Sequence, residues 1–211
     1  IACIVFILLS DQFISFDFLV ENKFFSILLT LFFMLSIINA FNLIDGLDGL
    51  AAGLSLISLI SLSLISNDSL NYIIYPLIGG ILVFLMKNSY PAKVFLGDSG
   101  SYILGYSLSV FTILIINQHL EINGTFKIAY LFLFIAIPVI DVIYAFFRRL
   151  INKVNIFSPD KKHLHHQLLN RNIKHPDAVF ILYFIQTLFA VIGLAIFNID
   201  FTSTLFLLII P

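Results

Sequence analysis

Three short polar stretches interrupt an otherwise apolar chain, and they hold the side chains able to do chemistry. The first is Asn42-Leu43-Ile44-Asp45-Gly46-Leu47-Asp48-Gly49-Leu50. Two carboxylates and an amide stand at the end of an apolar run, with glycines that let the backbone turn or approach a ligand. Oxygen donors at this spacing suit a hard cation such as Mg²⁺, which takes one or two carboxylates and completes its shell with substrate phosphates. A plain turn with helix caps would use the same residue types, but acids packed against membrane spans are costly without a cation.

The second stretch is Phe95-Leu96-Gly97-Asp98-Ser99-Gly100-Ser101. It precedes an apolar run, so Asp98 falls at a helix start, where free N–H groups and the helix dipole favour anions. Asp98 is read either as a cap or as a metal ligand beside a phosphate. The third is Asp160-Lys161-Lys162-His163-Leu164-His165-His166. Zinc would want three or four ligands in tetrahedral order, and no Cys stands nearby. With Arg148, Arg149 and Arg171 around it, the cluster reads better as an anion site. An ordinary basic loop explains the Lys and Arg but not three His. Asp141, inside an apolar run after Pro138, is either a functional acid or the partner of an Arg near its helix end. His119 and His175 read as loop residues.

Elements of one kind must position these groups. Of 211 residues, 60% are apolar and only 23 carry formal charge (11 Lys+Arg, 12 Asp+Glu); the mean hydropathy is +1.07. That leaves too little polar surface for a soluble enzyme, a disordered chain or a disulfide scaffold, and Cys3 stands alone. A net charge of −1 gives no sign of nucleic-acid binding. Apolar runs predict spans at about 1–9, 24–41, 50–66, 72–86, 102–117, 128–147, 178–197 and 203–211. Lipid offers no partner for loose backbone groups, so they are helices. The reading is an all-α, multi-span bundle forming one membrane domain over residues 1–211, with about six complete spans and a partial span at each end. Because Ile1 and Pro211 both lie inside apolar runs, an internal piece of a longer protein is expected.

The connections alternate between nearly uncharged loops (67–71, 118–127, 198–202) and the polar ones (42–49, 87–101, 148–176). The polar set shares one face and carries nine of the eleven basic residues, which the positive-inside rule assigns to the cytoplasm.

Taken together, the three polar loops resemble the polyprenyl-phosphate N-acetylhexosamine-1-phosphate transferases of bacterial membranes. Asn42–Leu50 is similar to the family's N-x-x-D-G-x-D-G-L, Phe95–Ser101 to its F-x-G-D-x-G-S, and His163–His166 to its H-x-H-H. The resemblance implies attack by a lipid phosphate on the sugar-linked phosphorus of a UDP-N-acetylhexosamine. The products would be a lipid-diphosphate-sugar and UMP, at the first membrane step of cell wall or surface polysaccharide synthesis. It implies Asn42 and Asp98 as ligands of Mg²⁺, with Mn²⁺ as the alternate. Asp45 and Asp48 would line the nucleotide and metal site, and His163, His165 and His166 the diphosphate. Location in the inner (plasma) membrane, with the site on the cytoplasmic face, follows, and a homodimer is compatible with it. Leu164 interrupts the three consecutive His of the branch that transfers a muramyl-pentapeptide, which favours the N-acetylglucosamine branch and leaves UDP-MurNAc-pentapeptide as the alternative. The family also carries an Asp-Asp pair on an earlier cytoplasmic loop, and residues 1–211 contain none. From other classes, an intramembrane protease would use Ser99, or Asp98 with Asp141. A transporter would instead place its polar groups at mid-span.

Overall fold

The computed structural model describes residues 1–12, 14, 23–119, 132–153 and 163–198. Asp160, Lys161, Lys162 and the expected run 203–211 lie outside the described residues. The described residues contain helices and no strand: α1 (Ala2–Ser10), α2 (Lys23–Ile44), α3 (Leu50–Ser63), α4 (Asp68–Asn88), α5 (Gly97–Gln118), α6 (Ala136–Ile151), α7 (Leu164–Asn170) and α8 (His175–Asn198). Four of them (α2, α4, α5 and α8) are long and apolar enough to cross a membrane. All-α membrane architecture is therefore borne out, and seven of the eight expected apolar runs carry helix.

α3 occupies the middle, packed against α4, α5 and α8, while α2 lies along α5 and against α6. The sequence of α3 explains its place. Its buried face is built from Ala51, Ala52, Gly53 and serines, which let neighbouring backbones approach. Ser55 and Ser58 return their hydroxyls to the carbonyls of Ala51 and Leu54, at 2.8 and 2.9 Å, so neither enters the core unsatisfied. By contrast α4 is mostly exposed, as a lipid-facing helix should be. Gly105 of α5 meets α2 so closely that an added Cβ would stand 2.7 Å from Ile38 Cα.

One expected span differs. The run 128–147 is not one continuous helix: a turn at Phe134–Ile135 separates residues 132–133 from α6. Pro138 supplies no N–H and crowds the carbonyl four residues back, so the helix restarts with the proline in its first turn. Gln186, wholly buried in α8, repairs the break: its Oε1 accepts from Ile137 N (3.0 Å) and its Nε2 donates to Phe134 O (2.8 Å). In an apolar bundle those two backbone groups would otherwise be stranded.

The two ends of the bundle differ in character. At one end His119 meets Ile65 O at 3.0 Å, and Asn117 donates to Gln12 at 2.9 Å. At the other, the α2–α3, α4–α5 and α7–α8 connections touch one another, which bears out the expected sharing of a face by the polar loops.

Candidate active site

The first loop is a tight turn between α2 and α3. Gly49 sits at φ 79° as the residue before α3, a left-handed conformation that favours glycine. Its N–H donates to Asn88 Oδ1 (3.1 Å), and Tyr183 OH donates to its carbonyl. Asn88, buried at the end of α4, also donates to Val94 O (2.8 Å), so one amide ties the first polar loop to the second. Asp48 faces the same way: its Oδ2 accepts from Ala92 N (3.0 Å), and its own N–H donates to His175 Nε2 (3.1 Å). The ring of His175 stacks on Tyr90 at 4.7 Å. His175 therefore begins α8 and belongs to the site's frame, which corrects its reading as a loop residue. An open cleft adjoins Asp48, walled by Tyr90, Val179, Phe180 and Tyr183.

The second loop delivers Asp98 in the first turn of α5. Asn42, near the end of α2, donates from Nδ2 to Asp98 Oδ1 and to Ser101 Oγ, each at 3.1 Å. Ser101 in turn donates to Asp98 O (3.0 Å). Asn42 and Asp98, 56 residues apart in sequence, are thus in contact. Asp45 stands close enough to feel the Asp98 charge: burial first and Asp98 second push its carboxyl up to about 6.

The third segment carries the histidines on α7. His163, the residue before the helix, and His165 are buried; His166 is half-buried. His163 Nδ1 meets Asp141 Oδ2 at 2.8 Å, and Leu164 N donates to Asp141 Oδ1 at 2.7 Å. Asp141 is therefore not paired with an arginine at its helix end. The ring of His165 lies on Gly46, where a Cβ would come within 2.2 Å of Nε2, and it tilts against His166 at 4.2 Å. The approach the glycine permits is that of a side chain of the same protein. Neither nitrogen of His165 has a hydrogen-bond partner among the described residues. Burial first, then His166, hold its pKa down to about 4, so the ring is neutral near pH 7.

The donor set at Asn42, Asp45 and Asp98 is all oxygen and amide. Two acids there repel each other, and a hard divalent cation would relieve the repulsion. No group of three or more His, Cys, Asp or Glu able to hold a metal occurs among the described residues. A site completed by substrate phosphates needs only the pair, so these residues fit Mg²⁺ and not a closed zinc centre. The protease readings fare badly: among the described residues no histidine bonds Ser99, and Asp141 commits both oxygens to His163 and Leu164.

Sequence reasoning missed Asn88, Tyr183 and Gln186 as parts of the frame. Each is a single polar residue in or at the end of an apolar helix, with no spacing to mark it.

Comparison with known proteins gives the family. The pattern of glycosyl transferase family 4 matches residues 1–116, more than half the chain. A Bacillus subtilis (strain 168) protein named as a probable undecaprenyl-phosphate N-acetylglucosaminyl 1-phosphate transferase is 35% identical over 186 residues, covering 86% of this chain and 51% of that protein. An alignment of that length necessarily takes in all three polar loops. The undecaprenyl-phosphate alpha-N-acetylglucosaminyl 1-phosphate transferase of Thermotoga maritima is 37% identical over 54% of this chain and 36% of its own length. The Escherichia coli (strain K12) protein of the same name is 31% identical over 80% of this chain and 47% of its own. The chain spans about half the length of the curated relatives it matches. With its pattern matched over more than half its length, and its apolar helices able to cross a bilayer several times, the chain is a multi-pass membrane protein that belongs to glycosyl transferase family 4.

Proposed function

We propose that this protein transfers N-acetylglucosamine-1-phosphate from a UDP-sugar to a polyprenyl phosphate at the cytoplasmic face of the inner (plasma) membrane. The observation that carries the reading is a convergence. Asn42 meets Asp98 at 3.1 Å, and His165 lies on Gly46, so all three motif loops line one site. The named activity of the relatives supports the same substrates.

An oxygen of the lipid phosphate attacks the sugar-bearing phosphorus, the bond from that phosphorus to the bridging oxygen breaks, and UMP leaves with its electron pair. A phosphomonoester has a second pKa near 6, so the nucleophile is mostly ionised at neutral pH and needs no strong base. The harder task is holding two anions together. Asn42 and Asp98 would hold Mg²⁺ (Mn²⁺ in its place), whose chemistry is to neutralise charge on the diphosphate. Asp45 and Asp48 line the nucleotide side of the site. The one N–H of neutral His165, with His166 beside it, donates to a diphosphate oxygen. As His165 is neutral there, positive charge has to come from a cation rather than from that ring.

The test is release of UMP from UDP-GlcNAc by membranes of cells expressing the complete coding sequence. Release that needs both polyprenyl phosphate and Mg²⁺ is expected. Proteolysis of a membrane substrate dependent on Ser99, with no UMP, would replace this reading.

A further inference from the structure

Asp141 is the one acid buried within the described helices, at 1% exposure on α6, and the transfer chemistry leaves it without a role. Its surroundings assign one. Oδ1 accepts from Leu164 N, capping the first turn of α7, and Oδ2 holds the ring of His163, itself only 5% exposed. α7 has seven residues, too few to be stable as an isolated helix. It needs outside anchors, and Asp141 supplies two hydrogen bonds at its N-terminal end. The orientation is passed on: the rings of His163 and His165 are parallel within 5°, with centroids 6.0 Å apart. His165 then rests on Gly46 and against His166. A continuous series thus runs from a carboxyl inside the bundle to the turn that carries Asp45. Within it His163 differs from its neighbours, because its Nδ1 is taken by Asp141 whereas both nitrogens of His165 are unpartnered.

We propose that Asp141 is a positioning residue for the histidine helix. It acts through His163, which serves as a tether, and it sets His165 and His166 against the diphosphate; the inference rests on the transferase reading for that last step alone.

The test uses the complete protein in membranes, with two readouts. The first is independent of activity: labelling of His165 by diethyl pyrocarbonate, followed by mass spectrometry. Asp141→Asn keeps the shape but cannot accept from both donors, so His165 should be modified at least ten-fold faster. His119, at the opposite end, should keep its parental rate. The second is transfer. Asp141→Asn should lower kcat at least ten-fold with KM for UDP-GlcNAc within three-fold. In a His165→Ala/His166→Ala background the same change should cost under three-fold further, because the groups it positions are gone. His163→Asn retains a donor near the Nδ1 position and should be at least ten-fold more active than His163→Ala, with slower His165 labelling. That pair decides the matter if Asp141→Asn does not accumulate. Unchanged His165 labelling in Asp141→Asn, equal losses with and without His165 and His166, or His163→Asn no better than His163→Ala would overturn the tether. Absence of any transfer by the parent would overturn the proposed reaction, and the labelling readout would still decide the positioning.

Discussion

Gly46→Ala tests whether the histidine helix and the first acidic loop form one working unit. The added Cβ would sit 2.2 Å from His165 Nε2, 2.8 Å from Cε1 and 3.0 Å from Cδ2, against ordinary contact beginning at 3.4 Å. Gly46 has no left-handed φ, so alanine meets no backbone obstacle and the imidazole must yield. Moving from 2.2 to 3.4 Å shifts the ring by roughly 1.2 Å. A misplacement of about 1 Å in a positioned group costs on the order of 100-fold in rate, near 3 kcal/mol of barrier. Overpacking one buried ring costs about 1–3 kcal/mol of stability, which the fold survives. Initial rates of UMP release, normalised to protein in the membrane, should fall about 100-fold. In a His165→Ala background the clash is absent, and the same substitution should cost little more. Gly79→Ala on α4 is the control: its Cβ meets nothing within 4 Å, and activity should stay within about two-fold of the parent. Gly46→Ala activity within three-fold of the parent would refute the reasoning, because it would mean that His165 does not work from where it lies.

Four further outcomes follow from the same site. Asp98→Asn removes a charge yet leaves Asn42 an oxygen to donate to, so near-complete loss of transfer with normal accumulation is expected; activity within a few-fold of the parent would make Asp98 a mere cap. The pH dependence of stability has two opposing parts. Asp45, raised from 3.8 to about 6, favours the folded state when protonated, so its contribution falls as pH rises between those values. His165, lowered from 6.5 to about 4, favours the folded state when neutral, so its contribution is lost as pH falls through that window. Each is an upper limit of about 3 kcal/mol, reduced for Asp45 by its partial exposure. In metal-free protein the two offset: His165→Ala should leave a Tm that falls from pH 4 to 6, Asp45→Asn one that rises, and the same slope in both would contradict the assignment. His165→Ala and His166→Ala should lower turnover while zinc-selective chelators leave the parent unchanged; activity restored by zinc would favour a metal role for the histidines. Finally, Asn155→Cys in a Cys3→Ser background should resist impermeant thiol reagents applied outside intact cells, and ready labelling would invert the topology.

Much of this was legible in the sequence. Apolar runs announce membrane helices because lipid leaves the backbone no other solution. The three polar stretches announce a shared face because they alternate with uncharged loops and concentrate the basic residues. Other features were hidden. Pro138 marks a helix start as readily as a kink, and nothing in the sequence links it to Gln186, 48 residues later. Asp141 reads as a partner for Arg148 or Arg149 because they share its helix. Its real partners arrive with α7, and no local pattern specifies which helix α7 packs against. His175 reads as a loop residue because it follows Lys174 and precedes Pro176; in fact it begins α8, with the proline in the helix's first turn, and its ring turns back to the N–H of Asp48. Local chemistry was readable, and tertiary pairings between single polar residues were not.

The central claim is that phosphorus, and not the sugar alone, passes to the lipid. UDP-GlcNAc carrying ³²P at the sugar-linked phosphate, supplied with polyprenyl phosphate and Mg²⁺ to membranes containing the protein, tests it most directly. The account predicts label in the lipid fraction, in equal amount to the UMP released, and no label in the nucleotide. Label retained in UDP, with unphosphorylated sugar transferred to the lipid, would contradict it.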